Sequence, residues 1–149
     1  MPPNTPSLTD PIRVGLRSGL KELLDAYKAT GALAESYDYP PESYHTPCGY
    51  IETGVPEAVT HDASTRQRVL TAQVVFVVKL ISNAQATREL DVMVDEFHEW
   101  VTANPRIAGQ LSMLEVVRVQ PGVELTDANG TKYAATVMTI DCNERLGRQ

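Results

Sequence analysis

Cysteine is nearly missing from this chain. Cys48 and Cys142 stand far apart in 149 residues, too few for the disulfide framework of a small secreted scaffold, and they read as free thiols in a reducing compartment. Long hydrophobic runs are missing too. Nothing approaches the roughly 20 apolar residues that span a bilayer, and no basic stretch leads into an apolar one near Met1, as a secretory signal would. The expectation is a protein made and used in a cytoplasm, with no membrane partner. Positive charge is scarce: 13 Lys and Arg face 19 Asp and Glu, a formal charge of −6. That argues against a nucleic-acid grip, which needs clustered cations to displace counterions. An acidic surface serves plain solubility, and it also suits a wall that DNA slides past without sticking.

What remains is an ordinary globular composition, 42% hydrophobic and 21% charged, of a length that makes one domain with a real core. Met1 to Thr9, with Pro2, Pro3 and Pro6, reads as an extended arm ahead of a domain over 10–143, and 144–149 as a short basic tail. Asp10-Pro11 gives a helix start, and Ile12, Leu16, Leu20, Leu23, Leu24 and Tyr27 share an arc of about 120°. Gly31 supplies the stop, which predicts a helix from Pro11 to Thr30. Gly15 and Gly19 beside the stripe permit close packing, and Arg13, Arg17, Lys21 and Glu22 rule out the membrane meaning of their spacing. Leu33 to Pro47 is irregular and rich in tyrosine (Tyr37, Tyr39, Tyr44), with a short strand near Ser36 to Tyr39 ended by Pro40-Pro41. Those rings suit either an interface or a lid over a core.

Cys48 to Thr53 reads as a strand and Gly54 to Arg68 as a long polar loop. Val69 to Ile81 carries the strongest strand signal. Leu70, Ala72, Val74, Phe76, Val78 and Leu80 form one apolar face, while Val75 and Val77 interrupt the polar alternation of the other. A one-sided sheet keeps its second face polar, so these two valines want cover from this chain or from a copy of it. Asn83 is expected to cap a second helix to about Ala103, with Ala86, Leu90, Met93, Val94, Phe97, Trp100 and Val101 on one face and Val92 as the misfit. As a core aromatic, Trp100 is expected to cost roughly 3–5 kcal/mol on truncation to Ala. Leu111 to Gln120, a break at Pro121-Gly122, Val123 to Thr126, a turn at Asp127 to Gly130 and a return over Thr131 to Cys142 complete a hairpin, with Asn-Gly as its turn signal. The predicted fold is α+β: a small mixed, mostly antiparallel β-sheet with two helices packed on one face.

Chemistry is hard to find in that frame. His45 and Cys48 lack the further ligands of a zinc site. His98 with Asp91 and Asp95 is a solvated helix face, and His61-Asp62 has no nucleophile to activate. A nucleophile elbow, a glycine-rich phosphate loop and an aromatic-plus-basic strand face are all missing. No enzyme activity, catalytic residue, metal or cofactor is expected.

The layout of Glu89 to Val101 (E-L-D-V-M-V-D-E-F-H-E-W-V), Asn104 to Leu111 (N-P-R-I-A-G-Q-L) and Tyr133 to Cys142 (Y-A-A-T-V-M-T-I-D-C) is nonetheless informative. In that order, over Arg68 to Asn143, it resembles the tail terminator and tail-completion (minor tail) proteins of long-tailed, siphovirus-like bacteriophages. The resemblance implies a structural virion protein at the head-proximal end of the tail, assembled in the host cytoplasm. Its partners would be copies of itself in a six-fold ring, the tail tube protein, and a neck or head-completion protein. DNA would pass through the ring without sequence-specific binding, past acidic residues such as Glu52, Glu57, Asp62, Glu124 and Asp127. Candidate interface residues are Val75 and Val77 on the strand and Glu57, His61, Asp62, Arg66 and Arg68 on the polar segment. The arm Met1 to Thr9 is a candidate for contact between rings. A head–tail connector or neck ring protein shares parts of this layout. A small ligand-binding α+β domain is a rival of another class, suggested by the grouped tyrosines.

Overall fold

A strand that is apolar on both sides has to be covered twice, and the architecture follows from that. The computed structural model describes residues 11–61, 66–106 and 112–145. In chain order its elements are α1 (Pro11–Ala29), β1 (Glu35–Tyr37), β2 (Cys48–His61), β3 (Arg66–Lys79), α2 (Asn83–Ala103), β4 (Ser112–Thr126) and β5 (Lys132–Arg145). They form one five-stranded sheet in the order β1-β2-β3-β5-β4. Only β1 runs parallel to its neighbour; β2, β3, β5 and β4 alternate in direction. Two helices on a mixed, mostly antiparallel sheet make the α+β domain that the sequence predicts.

The first face of β3 presents Leu70, Ala72, Val74, Phe76 and Val78, all buried. Beside them lie Met138, Ile140 and Cys142 of β5, and both helices pack on this one cluster. α1 lies over β1, β2 and β3, and α2 over β3, β5 and β4. Most of the helical stripes read from sequence are buried: Leu16, Leu20, Leu23, Leu24 and Tyr27 on α1, and Ala86, Leu90, Met93, Val94, Phe97 and Val101 on α2, whereas the side chain of Ile12 lies outside those described. Val92, the misfit, is exposed.

Tyr27 joins the layers. Its ring meets Phe76, Phe97 and Trp100 edge-on at 6.2, 5.9 and 5.5 Å, an arrangement that aromatic quadrupoles favour. Its hydroxyl donates to Glu96 Oε1 at 2.6 Å. Burial, reinforced by that carboxylate, pushes the phenol's pKa upward, so the group stays a donor. Close approach of α1 to the sheet needs Gly49 of β2. A Cβ there would stand 3.1 Å from Leu24 Cδ1 and 3.3 Å from the Phe76 ring.

Several local expectations change. Gly54 to Arg68 is not a loop: β2 runs on to His61 and β3 begins at Arg66. Register shifts between Glu52 and Val55, and again between Val55 and Ala58, insert residues that spoil the period-two alternation a strand would otherwise show. β4 also does not break at Pro121-Gly122. It absorbs them in a shift between Gln120 and Val123, with Gly122 at φ 76°, as an edge strand can. Ser82, not Asn83, caps α2, its hydroxyl accepting the Gln85 N–H at 3.2 Å. β3 stops at Lys79, and β5 continues to Arg145 into the expected tail. Trp100 sits at the rim of the core, only partly buried, because it lies at the edge of the α2 stripe. The arm Met1 to Thr9 lies outside the described residues.

Phe97, fully enclosed between Tyr27 and Phe76, is expected to lose about 3–5 kcal/mol on replacement by Ala. Trp100→Ala should cost clearly less. Urea unfolding of the two variants checks this, and equal losses would mean that Trp100 is as central as Phe97.

Candidate interaction surface

Around Val75 and Val77 the second face of the sheet is covered by the chain itself. Cys48 and Tyr50 of β2, Val75 and Val77 of β3, and Tyr133 and Ala135 of β5 form a separate buried cluster. The segment between β1 and β2 folds over it. Tyr44 stacks on Tyr50 (centroids 6.2 Å apart, 26° between planes) and meets Tyr133 edge-on at 5.0 Å. Tyr37, Val123, Leu125 and Val137 pack around the margin. The segment rejoins the sheet through Thr46-Pro47, a cis peptide bond, and the Ala34 N–H donates to the Pro47 carbonyl at 2.6 Å.

Val75 and Val77, offered by the sequence as interface residues, therefore take their cover from this chain. They are 1% and 0% exposed and leave no apolar surface for a neighbour. Of the polar candidates, Glu57 and His61 lie on β2 and Arg66 and Arg68 on β3, with His61 opposite Arg66 and Val59 opposite Arg68. The structure brings these into one hairpin instead of one loop. Asp62 lies outside the described residues.

The small edge strand β1 is held through side chains. Ser36 Oγ donates to Asp25 Oδ1 at 2.5 Å, and Lys21 and Lys28 of α1 pair with Asp25 at 2.7 Å and Glu35 at 2.8 Å. At the opposite corner, Asp127 organises the β4–β5 turn. Its Oδ1 accepts the N–H groups of Asn129 (2.9 Å) and Thr131 (3.0 Å), and its Oδ2 accepts the Tyr133 hydroxyl (3.1 Å). Burial works to raise this carboxyl's pKa, but the donated hydrogen bonds outweigh it and hold the group below its ordinary value.

Burial pushes the Cys48 thiol up to about 12, with Glu35 adding to the effect, so it is no nucleophile at neutral pH. Among the described residues no cluster of three or more His, Cys, Asp or Glu is placed to hold a metal ion, and no helix is long and apolar enough to cross a membrane. A groove of about 200 Å³ lies between the start of α2 and the bend of β4, lined by Leu80, Ala86, Leu90, Pro121, Val123 and Ala134. It is smaller than the roughly 300–1,000 Å³ of a typical small-molecule site.

What stays open is the rim of the sheet. β1 pairs with β2 only from Cys48 to Tyr50, and among the described residues no strand lies beside β2 from Ile51 onward. β4 is the other edge. Met113, Val117 and Val119 on it are 43%, 47% and 39% exposed, half of the large apolar side chains that the described surface leaves in water. Sequence reasoning passed over this stretch. Its V-V-R-V pattern resembles any buried strand, and only the strand order shows that it is an edge.

No family model matches the sequence, and no curated protein matches it. Among solved structures 25 chains match. One, known only by a sequence identifier, aligns with a TM-score of 0.50 at 13% identity, covering 92% of this chain and 98% of that one. At that identity the likeness establishes a shared fold and nothing about activity.

Two outcomes are expected from this geometry. Tyr44→Ala, which uncovers Tyr50 and Tyr133, should lower unfolding stability by up to about 3 kcal/mol, while Tyr44→Phe keeps the ring contacts and most of the stability. The Asp127 contribution to the turn should be fully present above the ordinary carboxyl value of 3.8 and fade as pH falls through the lower folded value. The amide resonances of Asn129 and Thr131 should follow that titration, and a midpoint at or above 3.8 would show that the turn does not hold the charge.

Proposed function

We propose that this chain is a structural virion protein. Copies form a ring that caps the tail tube of a long-tailed bacteriophage, stops tube polymerisation and offers a surface to the head–neck complex. One observation carries the reading: the apolar parts of both sheet faces are covered from within the subunit, whereas among the described residues its two edges are open and unlike each other. A subunit with two different association edges builds head-to-tail contacts, which close into a ring when the rotation permits. The order of sequence segments from Glu89 to Cys142, which resembles the tail terminator family, supplies the biological setting. The acidic balance of the chain suits a ring through which DNA moves without being held. The small groove and the tyrosines, spent on covering their own sheet, give a ligand-binding domain little support.

The test is electron microscopy of lysates from a phage with a nonsense mutation in this gene. The expected picture is tails of uncontrolled length beside unattached, DNA-filled heads. Tails of normal length that fail to join heads would make the protein a connector, and normal virions would remove both roles.

A further inference from the structure

We infer that the slot between the start of α2 and the bend of β4 is an anchor site for one arginine side chain presented by another protein. This goes beyond the ring proposed above and does not depend on it. The slot opens where β4 absorbs Pro121-Gly122. Along β5 the partners of β4 step from Val137, opposite Gln120, to Ala135, opposite Val123, so Thr136 stands beside the bulge. On the other side α2 supplies Ala86 and Leu90 as a wall. The space of about 200 Å³ is small for a drug-sized ligand. It suits a single buried side chain of the kind around which protein contacts are organised.

The floor of the slot holds a polar group without a partner. Tyrosine and cysteine aside, Ser36 and Thr136 are the buried polar side chains of the described residues. Ser36 gives its hydroxyl to Asp25. Thr136 is 3% exposed, and among the described residues no side chain or carbonyl takes up its hydroxyl. Its partner on β3 is Phe76, which belongs to the cluster under the helices. Thr136 therefore faces α2 and the slot that it lines. A hydroxyl buried without a hydrogen bond destabilises the free chain, and a ligand that bonds it relieves that penalty.

Charge at the mouth selects the ligand. Asp91 of α2 and Glu124 of β4 line its two sides, and no lysine, arginine or histidine lines it. Lys132 comes only within 4.0 Å of Glu124. The first turn of α2 adds the equivalent of about half a positive charge, less than two carboxylates carry, so an anion is disfavoured. Between floor and mouth the walls are apolar, with Leu80, Ala86, Leu90 and Val123. Arginine meets both demands. Its methylene stem lies along apolar walls, and its planar fork of N–H donors serves acceptors in several directions at once. The compact ammonium of lysine is more strongly hydrated and resists such walls. An uncharged apolar side chain would leave the Thr136 hydroxyl unpaired.

The test is methyl NMR of the full chain, titrated with N-acetylargininamide, N-acetyllysinamide and N-acetylnorleucinamide, the last a stem without a charge. The arginine probe should shift the methyl groups of Ala86, Leu90, Ala134 and Thr136 and saturate in the millimolar range. The lysine probe should bind more weakly, and the norleucine probe should leave these groups unmoved. Thr136→Val keeps the shape of the side chain and removes the acceptor. It should weaken arginine binding roughly tenfold while raising the melting temperature of the free chain. Asp91→Asn with Glu124→Gln should weaken binding and flatten its dependence on salt. The inference fails if the norleucine probe moves the same methyls as far, or if no probe saturates. It fails equally if arginine shifts only the exposed side of α2 around Val92, which would be attraction to an acidic surface. A Thr136→Val chain that melts lower would show the hydroxyl to be satisfied within the fold, and the site would lose its floor.

Discussion

The two-sided burial of β3 is the constraint on which the rest of the molecule depends. A strand that carries Val74, Phe76 and Val78 on one face and Val75 and Val77 on the other loses about 1.5–3 kcal/mol for each such side chain left in water. One face is covered by two helices that also meet each other through Tyr27, Phe97 and Trp100. The other receives no third helix. A short tyrosine-bearing segment serves instead, and it can do so because a ring lies flat on apolar strands while its hydroxyl reaches the polar rim. The Tyr133 hydroxyl, bound to Asp127, extends that cover to the hairpin turn.

Closing both faces internally has a consequence for association. A subunit whose sheet face remained apolar would meet its copy face to face, a contact that commonly ends at a dimer. Here, among the described residues, no strand lies beside β4 on its outer side or beside β2 beyond Tyr50, and Val117 and Val119 of β4 are exposed. On the proposed function, edges that differ in sequence and direction would give a contact that is head to tail. On the same reading, the covering step that makes the monomer stable also limits where a neighbour could be added.

The parts legible in the sequence were those with uninterrupted periodicity. The stripes from Leu16 to Tyr27 and from Ala86 to Val101 gave both helices within a residue or so of their ends, and the alternation from Leu70 to Val78 marked the central strand. Asn129-Gly130 marked the closing hairpin. The failures share a cause. Gly54, Pro56 and Pro121-Gly122 are turn residues by composition, yet each sits in or beside a bulge that keeps the strand going. A bulge resets the alternation, so both the hairpin arm near His61 and the continuity of β4 were hidden. The demand of Val75 and Val77 for cover was readable; its source in Tyr44 was not, because that contact spans an irregular segment. The exposed stretch at Val117 to Val119 could not be recognised before the strand order was known, since an edge strand and a buried one share the same residues.

The bulges bear on how strong an edge contact can be. On β2 they fall between Glu52 and Val55 and between Val55 and Ala58, and on β4 between Val116 and Arg118 and between Gln120 and Val123, so a ladder along either edge is interrupted within a few residues. Each backbone hydrogen bond contributes about 0.5–1.5 kcal/mol net, and an exposed ion pair at most about 1 kcal/mol. A single contact of that size does not offset the roughly 4–15 kcal/mol lost in association freedom. A closed ring differs, because the last subunit added makes two contacts for one loss of freedom, and a pre-existing circular template removes much of that loss beforehand. Short edges interrupted by bulges would, on the proposed function, favour assembly on an end that already has the right curvature over free polymerisation in solution. On the proposed function, a protein that must stop tubes without building them is served by edges that are open but weak.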